Sequence, residues 1–235
     1  MPAPAVDARW SARIARARWL ARERPAARQA LEFCADLTAF QQGLATRYPD
    51  AQSALDAFVG WLAHHAPSPL AEHANGLASS TGAWPRVLHA YLATPSRDAA
   101  DPRDRFVVEA LLQAFPIDPC PQCGGPPVVS TLREAGHGAR RSTVCGLCLA
   151  ESPASRLGCV ACGESRVEAL PVYRADDTDP ARVDACDTCG VYLKTVDLTR
   201  DGSAEPIADD LASLPLDLWA REQGYRRLRA NLLQL

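Results

Sequence analysis

A chain of 235 residues with 47% hydrophobic content is long enough for one large or two modest domains, each with a real core. No stretch approaches the roughly 18 consecutive apolar residues of a membrane-spanning helix, and the opening MPAPAVDARWSARIARARW lacks the apolar run of a secretory signal. The net charge of −3 hides no strong imbalance, since residues 117–200 carry 9 basic and 11 acidic side chains, so a basic nucleic-acid-reading face is not expected there.

In chain order, residues 8–24 place Trp10, Ile14, Ala17 and Ala21 at helical spacing, and Pro25 ends the run. The one local basic excess lies here, in seven arginines at 9, 13, 16, 18, 22, 24 and 28. Residues 26–46 carry Phe33, Leu37, Phe40 and Leu44 on one stripe, an amphipathic helix with Cys34 beside that stripe as a small buried hydrophobe. Helical spacing returns at Leu55, Val59 and Leu62, and again at Val108, Leu111, Leu112 and Phe115. Shorter helices are expected around Leu70–Leu77 and Trp84–Leu92, so residues 1–116 read as an all-helical domain of five or six helices.

Pro116, Pro119 and Pro121 break that pattern. From Pro127 the residues become β-branched in short runs, Val128–Leu132 and Arg141–Val144, around a Gly136-His137-Gly138 turn. A similar arrangement recurs at Glu168–Arg174 and Val183–Ala185 across the polar loop Asp176–Pro180, followed by a strand at Val191–Val196. The overall expectation is an α+β protein: a helical domain (1–116), two small metal-binding β-modules (117–157 and 158–200), and a helical tail (201–235). In that tail one helix is expected over Ile207–Leu214 and a longer one over Leu216–Leu233.

Four Cys-x-x-Cys pairs organise the modules: Cys120/Cys123, Cys145/Cys148, Cys159/Cys162 and Cys186/Cys189. The spacers are 21, 10 and 23 residues, and each long one can form a hairpin that brings its flanking pairs together. That is the arithmetic of two tandem four-thiolate metal sites, zinc-ribbon-like in spacing and fit for either Zn²⁺ or iron. Gly124, Gly163 and Gly190 follow three of the pairs, where a knuckle needs positive φ; Leu149 follows the second, where a looser geometry is expected. A site closed by four protein ligands leaves no position for substrate, which favours a structural role for the metal. A rubredoxin-type electron carrier, a thiol-exchange or metal-sensing pair and a zinc-ribbon nucleic-acid-binding protein remain as other readings.

No nucleophile triad, phosphate-binding glycine loop or metalloprotease motif is present, so no catalytic residue and no organic cofactor is expected. His64, His65, His73 and His89 lack ligand spacing, and His137 falls in the first hairpin turn. Asp176-Asp177 and Asp209-Asp210 read as a solvated turn and a helix start.

Taken together, CPQCGGPPVVS, the CGLC–x10–CVAC junction, CDTCGVYLK, ADDLASLPLDLWAREQGY and, less specifically, RWLARERPAARQALEFCADLTAFQQ resemble the formate dehydrogenase accessory proteins, the FdhE family. The resemblance covers nearly the full length. It implies a helical domain followed by two rubredoxin-like modules in a cytoplasmic protein. It also implies two metal ions, iron or zinc, on Cys120, Cys123, Cys145, Cys148, Cys159, Cys162, Cys186 and Cys189. The implied partner is the catalytic subunit of formate dehydrogenase, bound during maturation without membrane insertion or nucleic acid, with a homodimer left open. One departure is Glu151–Ser155, where the family has an aromatic and apolar stretch; loss of a strand or of a contact surface is expected there.

Overall fold

The computed structural model describes residues 4–48, 51–79, 83–93, 101–115 and 125–231. The first part is helical: α1 (Pro4–Glu23), a 3-10 turn at Pro25–Ala27, α2 (Arg28–Arg47), α3 (Ala51–His65), α4 (Ser68–Ser79), α5 (Ala83–Ala93) and α6 (Pro102–Gln113). Local signals account for the breaks. Pro25 cannot continue α1, and α6 starts where the Asp101 carboxylate accepts from the Arg103 N–H at 2.8 Å with Pro102 at the first helical position. The Phe33, Leu37 and Leu44 stripe of α2 meets Leu55, Phe58 and Leu62 of α3 and Phe106, Val107 and Ala110 of α6 in one apolar core.

The second part is a single sheet. Its strands are β1 (Pro127–Ala135), β2 (Gly138–Cys145), β3 (Glu151–Pro153), β4 (Val172–Tyr173), β5 (Ala181–Cys186), β6 (Val191–Asp197) and β7 (Arg226–Arg227). Their spatial order is β3-β2-β1-β6-β5-β4, with β7 parallel to β6. β1 and β2 form the hairpin expected from the first long cysteine spacer, and β4 and β5 form the second. The two halves are joined by parallel pairing of β1 with β6, Ser130 facing Thr195 and Leu132 facing Asp197. Mixed helix and sheet was therefore legible in sequence, whereas the fusion of both cysteine modules through one ladder was not. The boundary expected at residue 116 lies outside the described residues.

Two expectations are corrected. Glu151–Pro153 keeps a strand: Thr143 pairs with Ser152 and Val144 with Glu151. Backbone pairing carries β3, so the loss of apolar side chains does not remove it. The tail is also not helical throughout. α7 (Pro206–Ala212) and α8 (Leu214–Glu222) are followed by Gly224 at φ +87, and the chain then runs into β7. The left-handed glycine ends α8. Arg226 N–H then donates to the Gly190 carbonyl at 2.8 Å and Leu228 N–H to that of Tyr192 at 2.9 Å, so sheet pairing replaces the expected helix at residues 226–228, and the last expected helical residues, 232 and 233, lie outside the described residues.

The tail closes the molecule. Ile207, Ala208 and Leu211 of α7 share a core with Ala17 and Leu20 of α1, Leu31 and Cys34 of α2, and Val128, Val129, Val144 and Val196 of the sheet. Cys34 is 2% exposed, and burial pushes its thiol up to about 11, as a small core hydrophobe. On α1 the buried face also carries Arg13 and Arg16. Arg13 donates to Glu205 at 3.0 Å, and Arg16 grips Asp209 through Nε at 2.9 Å and Nη2 at 2.6 Å. Asp209 and Asp210 stand at the start of α7, as expected, and at 4% and 1% exposed both are also buried counter-charges. Asp176-Asp177 is a solvated turn, as expected, with Asp176 accepting from Thr178 N–H at 2.7 Å.

A second charge cluster lies under α7 and α8. Lys194 of β6, fully buried, donates to Asp217 Oδ2 at 2.5 Å and to the Asp210 carbonyl at 2.6 Å, and pairs with Asp210 Oδ1 at 3.1 Å. Arg227 of β7 spans the same two carboxylates, at 2.6 Å to Asp210 and 2.8 Å to Asp217. Two cations and two anions thus neutralise one another out of water, with Tyr192 Oη donating to Asp217 at 2.7 Å.

Candidate metal centre

The second hairpin brings Cys159, Cys162, Cys186 and Cys189 together, with all four Sγ atoms within 4.8 Å of one another. Cys159 Sγ lies 3.7 Å from Cys189 Sγ, and Cys162 Sγ lies 3.7 Å from Cys186 Sγ. A tetrahedral ion with metal–sulfur bonds of about 2.3 Å requires sulfur–sulfur edges of about 3.8 Å, so the donor set fits such an ion. Cys186 is buried at the end of β5, and Cys162 is exposed on the outer knuckle.

Each knuckle is built by the same local backbone turn. Gly163 N–H donates to the Cys159 carbonyl at 2.9 Å with Gly163 at φ +77, and Gly190 N–H donates to that of Cys186 at 2.8 Å with Gly190 at φ +66. The turn aims backbone N–H groups at sulfur, as Ala161 N–H does toward Cys159 Sγ at 3.4 Å. Protons divide unevenly among four crowded thiols. Burial, together with the neighbouring sulfurs, pushes Cys189 up to about 12. At Cys159 burial is outweighed by the backbone N–H groups of Cys162 and Ala161, and its thiol lies below the ordinary value. A bound cation would displace the protons from all four.

Of the other four paired cysteines, Cys120 and Cys123 lie outside the described residues. Cys145 and Cys148 are both 4% exposed at the end of β2, packed with Leu147 and against Leu112 of α6. Their knuckle has the same form: Leu149 N–H donates to the Cys145 carbonyl at 3.1 Å, and Leu147 N–H points to Cys145 Sγ at 3.4 Å. Leu149 adopts φ +57, so a leucine occupies the left-handed position that Gly163 and Gly190 fill in the last two pairs. The turn is kept against an unfavourable backbone, with its closing hydrogen bond at 3.1 Å against 2.9 and 2.8 Å in the two glycine knuckles. The chain two residues beyond Cys123 meets this knuckle, where the Gly125 carbonyl lies 3.4 Å from Cys145 Sγ.

Three supports of these knuckles were not read from the sequence. Tyr225 Oη donates to Asp187, inside the last pair, at 2.6 Å. Gln113 Nε2 donates to the Gly146 carbonyl at 3.0 Å, and Arg229, paired with Glu109, lies against Gly146. The tail segment 225–229 therefore touches a knuckle in each half. The fourth-pair strand and the tail motif were visible as strings, but their mutual contact spans more than 30 residues and has no local signature.

The histidines are placed apart from the cluster. His64 and His65 bond their own helix carbonyls at 2.8 and 2.9 Å, and His73 meets Asp104 at 2.7 Å. No helix among the described residues is long and apolar enough to cross a membrane.

The chain is similar to proteins of one family. Residues 157–234 match the family model described as FdhE, C-terminal domain. The Protein FdhE homolog of Aquifex aeolicus is 37% identical over 116 residues, 48% of this chain and 41% of that protein. The homolog of Pseudomonas putida is 40% identical over 119 residues, 48% and 37% of the two chains, and Protein FdhE of Escherichia coli is 37% identical over 113, 48% and 36%. The matched region thus spans about four tenths of these relatives' own length. The crystal structure of the FdhE protein from Pseudomonas aeruginosa shares the fold, with a TM-score of 0.77 at 22% identity over 100% of this chain and 97% of that one. The resemblance to the FdhE family is thereby shown, with residues 157–234 matching that family's C-terminal domain.

Proposed function

We propose that this chain is an accessory factor in the maturation of formate dehydrogenase, binding the immature catalytic subunit in the cytoplasm through a surface held rigid by metal. The observation that carries this reading is the closed cluster Cys159, Cys162, Cys186 and Cys189 lying inside the segment that matches the FdhE C-terminal domain. Four protein thiolates fill a tetrahedral ion, so the ion holds geometry and is not a place where substrate binds. In this reading the chain has no catalytic residue. Two ions of zinc or iron are bound per chain, the second cluster being Cys120, Cys123, Cys145 and Cys148.

The surface beside the centre suits a protein partner. Leu157 is 60% exposed, Val172 50% and Val160 37%, and all three border the cavity that Cys159 and Cys186 also line. Exposed apolar side chains grouped beside a rigid knuckle provide area that an incoming protein can bury. Three of the seven arginines at the basic start are engaged within the chain, Arg13 and Arg16 buried against Glu205 and Asp209 and Arg24 paired with Asp179, which reduces what that segment offers to nucleic acid.

The test is co-purification with the formate dehydrogenase catalytic subunit from cells making both. A complex weakened by Leu157→Asp and Val160→Asp is the expected result; absence of any complex with the unaltered chain refutes the reading.

A further inference from the structure

The cluster of Cys159, Cys162, Cys186 and Cys189 is supported from the other half of the sheet by Arg141 of β2, which is 5% exposed. Its Nε donates to Ser130 Oγ at 2.9 Å, and Ser130 Oγ in turn donates to the Ser142 carbonyl at 2.9 Å. Nη1 donates to the Gly158 carbonyl at 2.9 Å and lies 3.3 Å from that of Ser155. Nη2 lies 3.4 Å from Asp184 Oδ2 on β5. The guanidinium thus fastens the loop that delivers Cys159, and it does so at the peptide directly before that ligand. The Cys159 N–H on the same peptide donates to the Glu164 carbonyl at 2.8 Å, so both polar atoms of this peptide are held. Arg141 and Cys159 also line one cavity of about 90 Å³, with Cys186.

We propose that Arg141 is the positioning residue of the Cys159/Cys162/Cys186/Cys189 centre. Through it the first half of the sheet governs how tightly the second half holds its metal. Two physical effects act together. The planar guanidinium reaches the loop carbonyls and Ser130 at once, a geometry that an ammonium cannot reproduce. A divalent ion with four thiolates keeps a net negative charge, and a buried cation on the same cavity lowers its free energy where water cannot screen it. Outer-shell groups that orient metal ligands are commonly worth about 10- to 100-fold in metal affinity.

The proposal rests on reading the four sulfurs as a metal site and is independent of the formate dehydrogenase role, so the two fail separately. The experiment uses the full chain loaded with Co²⁺, following the thiolate-to-cobalt charge-transfer band and the release of each ion to a chelator. The Cys186→Ser chain, expected to lose one ion, identifies the phase that belongs to this site. Arg141→Gln should speed release from that site about 10-fold or more and shift its band, leaving the other phase unchanged. Arg141→Lys, which keeps the charge and most of the volume, should fall between. Arg133→Gln, at a half-buried position of β1 paired with Glu151 and away from this cluster, should release both ions as the unaltered chain does. Wild-type release in both Arg141 variants overturns the proposal. So does equal acceleration of both phases with a lowered melting temperature, which would make Arg141 a general strut. Failure to develop any charge-transfer band removes the site and the proposal with it.

Discussion

Replacing Lys194 by methionine tests the buried charge cluster directly. The ammonium is fully buried and meets Asp217 at 2.5 Å and Asp210 at 3.1 Å. Without it, two buried carboxylates share the single guanidinium of Arg227, and the Asp210 carbonyl loses one of its donors, the other being the Ser213 hydroxyl at 3.0 Å. Removing one partner of a buried pair costs about 3–5 kcal/mol, against a total stability on the order of 5–15 kcal/mol for a folded domain. Urea unfolding of the metal-loaded chain, followed by tryptophan fluorescence, should show a loss of that size. Acid unfolding gives a second measure. Burial works to raise the Asp210 carboxyl, but Arg227 and Lys194 outweigh it and hold it below the ordinary value. A carboxyl depressed in the folded state contributes stability that is complete above its unfolded value of about 4 and is lost as pH falls through the folded value. Lys194→Met raises that folded value, so the acid midpoint should move to higher pH. Adding Asp217→Leu removes the excess negative charge and should recover part of the loss. A single variant within about 1 kcal/mol of the unaltered chain would refute the assignment of a coupled, desolvated cluster.

Leu149→Gly removes a left-handed conformation worth about 1–2 kcal/mol but also the packing of a half-buried side chain, so its melting temperature should stay close to that of the unaltered chain. Leu149→Val, β-branched at the same positive φ, should lower it clearly. Gly146→Ala places a Cβ 2.7 Å from Arg229 Nε, whose guanidinium is anchored on Glu109 and has little room to yield. A loss of about 1–3 kcal/mol in urea is expected. Metal analysis of chain purified without added metal should give two ions, Cys120→Ser and Cys186→Ser should each reduce the count, and Cys34→Ser should leave it unchanged.

Much of the candidate site was legible in sequence because its signal is local. A knuckle is a five-residue turn, so Cys159-x-x-Cys162-Gly163 and Cys186-x-x-Cys189-Gly190 announce both the ligands and the positive φ behind them. The hairpins that join the pairs are likewise short-range, and β1, β2, β5 and β6 fall where the β-branched runs stand. Leu149 escaped because the same turn is held there by hydrogen bonding and packing, which override a residue's own preference. The strand at Glu151–Pro153 escaped because main-chain pairing carries it.

By itself the sequence determined the helical periods of α1 to α6, the change to strands after Pro127, and the chemistry of four thiol pairs. Only the tertiary structure decided what those parts do to one another. Parallel pairing of β1 with β6 makes the two cysteine modules one sheet. Pairing of β7 with β6 turns the end of the tail from helix to strand. The buried arginines of α1 take their partners from far along the chain, as Arg16 does with Ser203 and Asp209, 187 and 193 positions away. Periodicity and turn chemistry act over a few residues and can be read along the chain. Ladder partners and buried counter-charges are chosen in space, where a residue's neighbours are set by the whole fold.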